Sequence, residues 1–308
     1  MIEIVKVENK DQEREFVMFP FSLYKGCDYW VPPIISEELE SMDKEKNPVF
    51  ENAEAEFYIA KKDGVTVGRI AAMVNWVEIE EQKKNKLRFG WYDTIDDLEV
   101  SKKLLESVIE FGKKRKLEFV DGPVGFSNMD KAGLLIEGYE ELNTMITWYH
   151  YPYQKEHLKK LGFSKLAEWV EYKIKIFSAE DAPEKVKKFS KIIQQRYELK
   201  VLNFKSRKEI IPYVDKMFEL LNVTYSNLQT YVTIKQYQID FYKEKFIKYI
   251  HPDFIKCCLD KDNNLIAFLI TMPSFSRALK KINGKMGLIG YLRLFKAQHF
   301  NDRVSLYL

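Results

Sequence analysis

The alternation of apolar and polar positions over residues 2–7 predicts a strand. Phe16, Val17, Phe19 and Phe21 give residues 11–23 the pattern of a helix with one core-facing side, and Pro20 is expected to kink it or confine it to its early part. Trp30-Val31-Pro32-Pro33 reads as extended, because proline restricts both itself and the residue before it. Strands at 57–60 and 65–74 flank Lys61-Lys62-Asp63-Gly64, a hairpin signal, and 87–92 adds a third strand to the meander. A helix over 97–114 carries Leu104, Leu105, Val108 and Ile109 as its apolar stripe, with Asp96 and Glu99 at capping-box spacing. A short strand at 117–120 ends at Asp121-Gly122-Pro123, and the strand–helix–strand crossing implies a parallel pair. About thirty residues later a helix over 153–161 closes on Gly162-Phe163, and 169–176 reads as a last strand.

The pattern then begins again. Residues 178–183 read as a linker, followed by a helix over 183–197 with Val186, Phe189, Ile192 and Ile193 as its stripe. Residues 201–205 echo 4–8, helices over 208–221 and 234–250 follow, and 254–259 with 265–272 repeat the first hairpin. The offset is about 197 residues at the first strand and about 199 at the hairpin, which supports a duplicated unit. Residues 304–308 fit the second copy's third meander strand, and the counterparts of everything after it are missing. The expected fold is therefore α/β (α+β), with two mixed sheets flanked by helices and the second copy truncated after its meander. The expected domains are 1–178 and 185–308. An isolated half-sheet leaves an unpaired edge, so either the natural polypeptide continues past Leu308 or a second copy in a homodimer covers that edge.

Composition narrows the class. The chain has 308 residues, 46% of them hydrophobic, and its 31% charged residues leave a formal net charge of only +3. Charges this evenly mixed argue against a nucleic-acid partner. The three cysteines, Cys27, Cys257 and Cys258, lack metal-ligand spacing and suit reduced thiols, so no metal is expected. With neither a secretory signal nor about 18 consecutive apolar residues, no membrane partner and a cytoplasmic location are expected.

Val65-Thr66-Val67-Gly68-Arg69-Ile70 and His157-Leu158-Lys159-Lys160-Leu161-Gly162-Phe163, together with the order of elements, resemble the GNAT (acyl-CoA N-acyltransferase-like) superfamily. Tyr29-Trp30-Val31-Pro32-Pro33, Arg88-Phe89-Gly90-Trp91-Tyr92-Asp93 and Gly133-Leu134-Leu135-Ile136-Glu137-Gly138 resemble uncharacterised bacterial tandem-GNAT proteins. The resemblance implies an acyl group passed from acetyl-CoA or another acyl-CoA to an amine. It also implies a glycine-rich loop after the third meander strand, presenting backbone N–H groups to the cofactor pyrophosphate. That slot here reads Thr94-Ile95-Asp96-Asp97-Leu98-Glu99-Val100, with no glycine and three acids. The cofactor site is therefore expected mainly beyond Leu308. The tyrosine that the resemblance implies four residues before Gly162 is Leu158.

The long segment 121–150 leaves the sheet at a carboxyl end, where open α/β sheets bind ligands. Phe126, Ser127, Asn128, Asp130, His150 and Tyr151 are its candidate ligand contacts, with a small-molecule or aminoacyl substrate in view. Glu137 as general base is one candidate catalytic residue; the other is Tyr153, which, like Tyr151, could take the acid role that the resemblance implies only by a different geometry. Each has a plainer alternative: Ser127 to Asp130 as a turn, Glu137 paired with a lysine, and the aromatic run Trp148 to Tyr153 as packing. A non-catalytic small-ligand-binding protein on the same fold is the competing reading.

Overall fold

A computed structural model describes all residues except 128, 177, 179, 229, 247–250 and 307–308. Contacts divide the chain into two units: Met1–Glu168 with Gln229–Val232 and Ser274–Asn301, and Trp169–Leu228 with Thr233–Pro273 and Asp302–Leu308. The first division falls at 168/169 rather than in the linker at 178–183, and 274–301 belongs with the first unit.

The first unit opens with strand β1 (Ile2–Lys6) and helices α1 (Lys10–Leu23) and α2 (Ile35–Met42). β2 (Ala53–Lys62), β3 (Val65–Asn75), the short helix α3 (Trp76–Glu80) and β4 (Lys86–Thr94) follow. α4 (Leu98–Lys114), β5 (Phe119–Asp121) and α5 (Pro152–Lys160) complete this run. The sheet order is β1-β2-β3-β4-β5, antiparallel except for the parallel β4–β5 pair. This is the mixed-sheet order that the GNAT resemblance implies. α1 continues through Pro20 to Leu23: the bond lost is the one proline cannot donate, and the Pro20 carbonyl still accepts from Tyr24 N–H. The α4 N-cap is Asp97, whose side chain accepts from Glu99 N–H, one residue later than Asp96.

Strand parity sorts the core. Ile70, Ala72 and Val74 of β3 face α4, packing with Leu104, Leu105, Val108 and Phe111. Ala71 and Met73 face the other way, toward Phe16, Val17 and Met42.

The second unit holds α6 (Glu184–Arg196), β6 (Lys200–Asn203), α7 (Arg207–Tyr225), α8 (Gln236–Phe246), β7 (Ile255–Leu259) and β8 (Leu265–Pro273). After β8 come α9 (Ser276–Ile282) and α10 (Leu288–His299), both counted with the first unit, then β9 (Val304–Leu306). The sheet runs β6-β7-β8-β9, and β9 pairs antiparallel with β8, as a third meander strand should. Its core joins Ile210, Val214 and Met217 of α7 to Ile255 and Cys257 of β7. Two expectations fail here. Residues 169–176 are exposed and form no strand, because among the described residues no neighbouring strand supplies a ladder. α6 forms, but Val186, Phe189, Ile192 and Ile193 are exposed rather than buried.

Candidate functional site

One extra residue in β4 shapes the candidate site. Arg69 pairs with Asp93 and Ala71 with Gly90, so two β4 residues, Trp91 and Tyr92, stand opposite Ile70. Trp91 takes a positive φ of 47°, a backbone conformation that a bulky side chain holds only when its surroundings enforce it. The bulge reverses parity. Leu87 and Phe89 face α4, yet Trp91 faces the opposite core with Phe57 and Phe126. Asp93 is thereby turned to the same face as Arg69.

There the two form a buried pair, Arg69 Nε to Asp93 Oδ2 at 2.8 Å. The Tyr24 hydroxyl donates to Asp93 Oδ1 at 2.6 Å, with the Tyr149 carbonyl 2.9 Å away as an alternative acceptor. Burial, then the Asp93 charge, pushes the Tyr24 hydroxyl far above its ordinary pKa, so it stays a donor. Arg69 also donates to the Phe16 carbonyl at 3.2 Å.

These groups line a narrow cleft with Trp30, Glu38, Lys131 and Trp148. Its interior room is about 20 Å³, space for a water-sized group, so a larger ligand requires side-chain movement. Burial lowers the Lys131 ammonium's pKa and the Glu38 charge opposes that. The cleft therefore holds two cations and two carboxylates close together, a setting suited to a polar ligand that both donates and accepts.

The segment 121–150 is held against β4. Val124 N–H bonds the Phe89 carbonyl at 2.8 Å, and a Cβ on Gly90 would sit 2.6 Å from the Val124 carbonyl, so glycine is required for that approach. Arg88 donates to the Gly125 carbonyl at 2.9 Å while forked onto Glu78.

Beyond Arg88, β4 parts from β5, whose pairing ends at Asp121. Two carbonyls on this freed edge are taken by α5: Gln154 Nε2 donates to Tyr92 O at 3.1 Å and the Tyr153 hydroxyl to Thr94 O at 2.7 Å. Around the α4 N-terminus, His157 lies 2.8 Å from Ser101 Oγ through Nδ1 and 3.2 Å from Asp96 Oδ1 through Nε2. Asp97, besides capping the helix, pairs with Lys62 at 3.0 Å. The helix end that would receive a pyrophosphate is thus met by carboxylates and the protein's own side chains. These residues do not fit an acyl-CoA pyrophosphate.

The sequence-derived candidates scatter. Phe126 is a core residue against Phe50 and Trp91, and its carbonyl accepts from Asn75. Ser127 and Asp130 form the turn: Asp130 accepts from Ser127 N–H at 2.9 Å. Asn128 lies outside the described residues. Glu137 is exposed, away from any general-base setting. His150 is buried, with Nδ1 accepting from Leu135 N–H at 3.2 Å, and burial lowers its pKa to about 4. It is neutral at pH 7. Tyr151 caps α5 through its backbone, its N–H bonding Gln154 Oε1 at 2.8 Å. The Tyr153 hydroxyl is committed to Thr94, and burial raises its pKa. Of the described candidates, Tyr151 adjoins the cleft's tyrosine, with its ring 5.1 Å from that of Tyr24, and His150 adjoins the cleft's Trp148, with ring centroids 6.4 Å apart. Tyr24, Arg69 and Asp93 are missing from the candidates. A signal existed: Arg69 and Asp93 interrupt apolar strands, and a charge buried in a strand needs a partner.

Among the described residues no group of His, Cys, Asp and Glu is placed to hold a metal, and no helix is long and apolar enough to cross a membrane. No family model matches the chain. It is 26% identical over 290 residues to Protein YghO of Escherichia coli (strain K12), covering 93% of this chain and 72% of that protein. It is 22% identical over 174 residues to the bacterial ceramide synthase of Caulobacter vibrioides, covering 56% of this chain and 45% of that one, so it spans less than half of the latter's length. Among solved structures it is similar to a tandem GNAT protein from the clavulanic acid biosynthesis pathway, with a TM-score of 0.43, 10% identity, and coverage of 88% of this chain and 74% of that one.

Proposed function

We propose that the chain serves acyl transfer of the acyl-CoA N-acyltransferase kind, its first unit holding the amine acceptor and not the thioester. The observation that carries this is the pairing of a charged, polar-lined cleft around Arg69, Asp93 and Tyr24 with a closed α4 N-terminus. The acceptor is a small or aminoacyl amine: Asp93 and Glu38 suit an ammonium group, Arg69 and Lys131 a carbonyl or carboxylate. The relative named as a ceramide synthase is in keeping with amide formation, since a ceramide is an amide of a long-chain amine. The thioester is held elsewhere than at the α4 N-terminus of the first unit.

A second reading, a binding protein without catalysis, is favoured by three observations. Glu137 is exposed, His150 is buried with its Nδ1 taken by Leu135 N–H, and the Tyr153 hydroxyl is already committed.

Calorimetric titration of acetyl-CoA into the 308-residue chain, and into a longer chain continuing past Leu308, tests both. Binding by the longer chain alone supports acyl transfer with a divided site. Binding by neither supports the second reading. Tight binding to the 308-residue chain that is lost on Tyr153→Trp, which would crowd the α4 terminus, would sink the claim that this terminus is closed.

A further inference from the structure

α9 and α10 form a helical pair that the acyl-transfer reading does not use. α9 is anchored: Ala278, Leu279 and Ile282 are buried. Asn283 and Gly284, both with positive φ, turn the chain, and the Gly284 carbonyl accepts from Ile35 N–H at 3.0 Å. α10 differs. The only buried residue in it is Gly290. Leu288, Leu292 and Phe295 recur at i, i+4 and i+7, share a face with Tyr291, and are 79%, 61%, 60% and 63% exposed in that order, Tyr291 last. Ile289 and Phe300 add to it. A contiguous outward apolar face of this kind marks an interaction surface.

The charge around that face narrows the partner. From Arg277 to Asn301 there are six Lys or Arg residues and no Asp or Glu. Lys281, Lys285, Arg293 and Lys296 are exposed. A second copy of this face would bring like charges together. An uncharged apolar partner leaves the cations without a counterpart. At twelve residues α10 is too short to span a bilayer. Leucine and aromatic side chains outward, with lysine and arginine flanking, suit a helix that lies in a lipid interface.

We infer that α10 seats this protein on an anionic phospholipid membrane, with Leu288, Leu292 and Phe295 entering the acyl boundary and Lys281, Lys285 and Lys296 meeting lipid phosphates. This departs from the membrane-free expectation drawn from hydropathy, which addressed spanning helices alone.

Flotation of the 308-residue chain with phosphatidylglycerol-rich vesicles and with pure phosphatidylcholine vesicles tests it. The chain is expected to float with the anionic vesicles only, and less as salt rises. Leu292→Ser with Phe295→Ser is expected to weaken partition at least about tenfold. Lys281→Gln and Lys285→Gln are each expected to weaken it roughly fivefold. These residues are exposed, and circular dichroism of each variant verifies folding. Failure to float with anionic vesicles, equal flotation with both lipids, or undiminished flotation of the Leu292/Phe295 variant overturns the inference. A concentration-dependent dimer abolished by that variant assigns the face to a second copy and overturns it as well.

Discussion

Replacing Glu78 by glutamine tests how the first unit holds the segment 121–150 in place. Glu78 is fully buried, and its carboxylate oxygens lie 2.6 and 2.7 Å from Arg88 Nε and Nη2 and 3.1 Å from Lys86 Nζ. Asp121 completes the group, 2.8 Å from Lys86. Two carboxylates thus balance two cations. Glu78→Gln keeps the shape, takes away the carboxylate that Arg88 is forked onto and leaves Lys86 with Asp121, with an amide NH₂ directed at donors. At an effective dielectric of 20, one pair at 3 Å is worth about 5 kcal/mol. Breaking one partner of a buried pair costs about 3–5 kcal/mol. We therefore expect a loss of about 4 kcal/mol, against under about 0.5 kcal/mol for Glu110→Gln, whose pairing with Lys114 is exposed. Urea unfolding followed by tryptophan fluorescence reads chiefly this unit, because Trp30, Trp76, Trp91 and Trp148 lie in it and the remaining tryptophan, Trp169, is exposed in the other. With m near 2–3 kcal/mol per molar, the midpoint should fall by about 1.3–2 M at unchanged m. A loss below about 1 kcal/mol would refute the reasoning, since it would mean that the four charges are solvated in solution. A changed m would refute it too, by placing the effect in the unfolded ensemble.

Two further outcomes follow from single groups. His150 has a folded-state pKa of about 4 against an ordinary 6.5. The unfolded chain binds the extra proton between those values, so stability is full above pH 6.5 and falls by about 3 kcal/mol on acidification to pH 4. His150→Asn, whose carbonyl oxygen can still accept from Leu135 N–H, is expected to flatten that part of a pH–stability profile; an unchanged slope would count against a neutral buried imidazole. Gly284 has φ +78°, and a Cβ there would lie 2.5 Å from the Phe21 ring. Gly284→Ala is therefore expected to cost about 2–4 kcal/mol in thermal unfolding, and a melting temperature equal to the parent's would show that the turn is not held so tightly.

Most of the first unit was legible because parity and period are written in side-chain type. Ile70, Ala72 and Val74 on one face and Ala71 and Met73 on the other follow directly from a period of two. The hairpin announced itself in Asp63-Gly64, both with positive φ. The bulge at Trp91 did not, since tryptophan is a poor choice for positive φ and nothing local marks it. That one residue decides where Asp93 points, so the Arg69–Asp93 pair stayed hidden although both charges were in view. α10 escaped for another reason. Its apolar spacing is helical, but an apolar face is ordinarily read as core, and this one faces outward. Residues 169–176 and α6 failed in the same sense: their pattern is that of buried elements, while no partner covers them among the described residues.

The acidic stretch after β4 shows how far composition reaches. Three acids and no glycine between Thr94 and Val100 already told against a phosphate. They did not tell what takes its place. A strand edge freed from β5 exposes carbonyls that must find donors or water. Here the donors are Gln154 and Tyr153, presented on the first turn of α5, and the same helix brings His157 to Asp96 and Ser101 one turn later. Two observations with separate origins, the charge of the loop and the hydrogen bonds of α5, therefore exclude one ligand from one place. The Arg69–Asp93 pair itself is made within the sheet, between β3 and β4, and α5 reaches that cleft only at its tyrosine, where the Tyr24 hydroxyl lies 3.4 Å from Gln154 Oε1. Filling the α4 terminus therefore leaves the Arg69–Asp93 pair and the cleft around it in place.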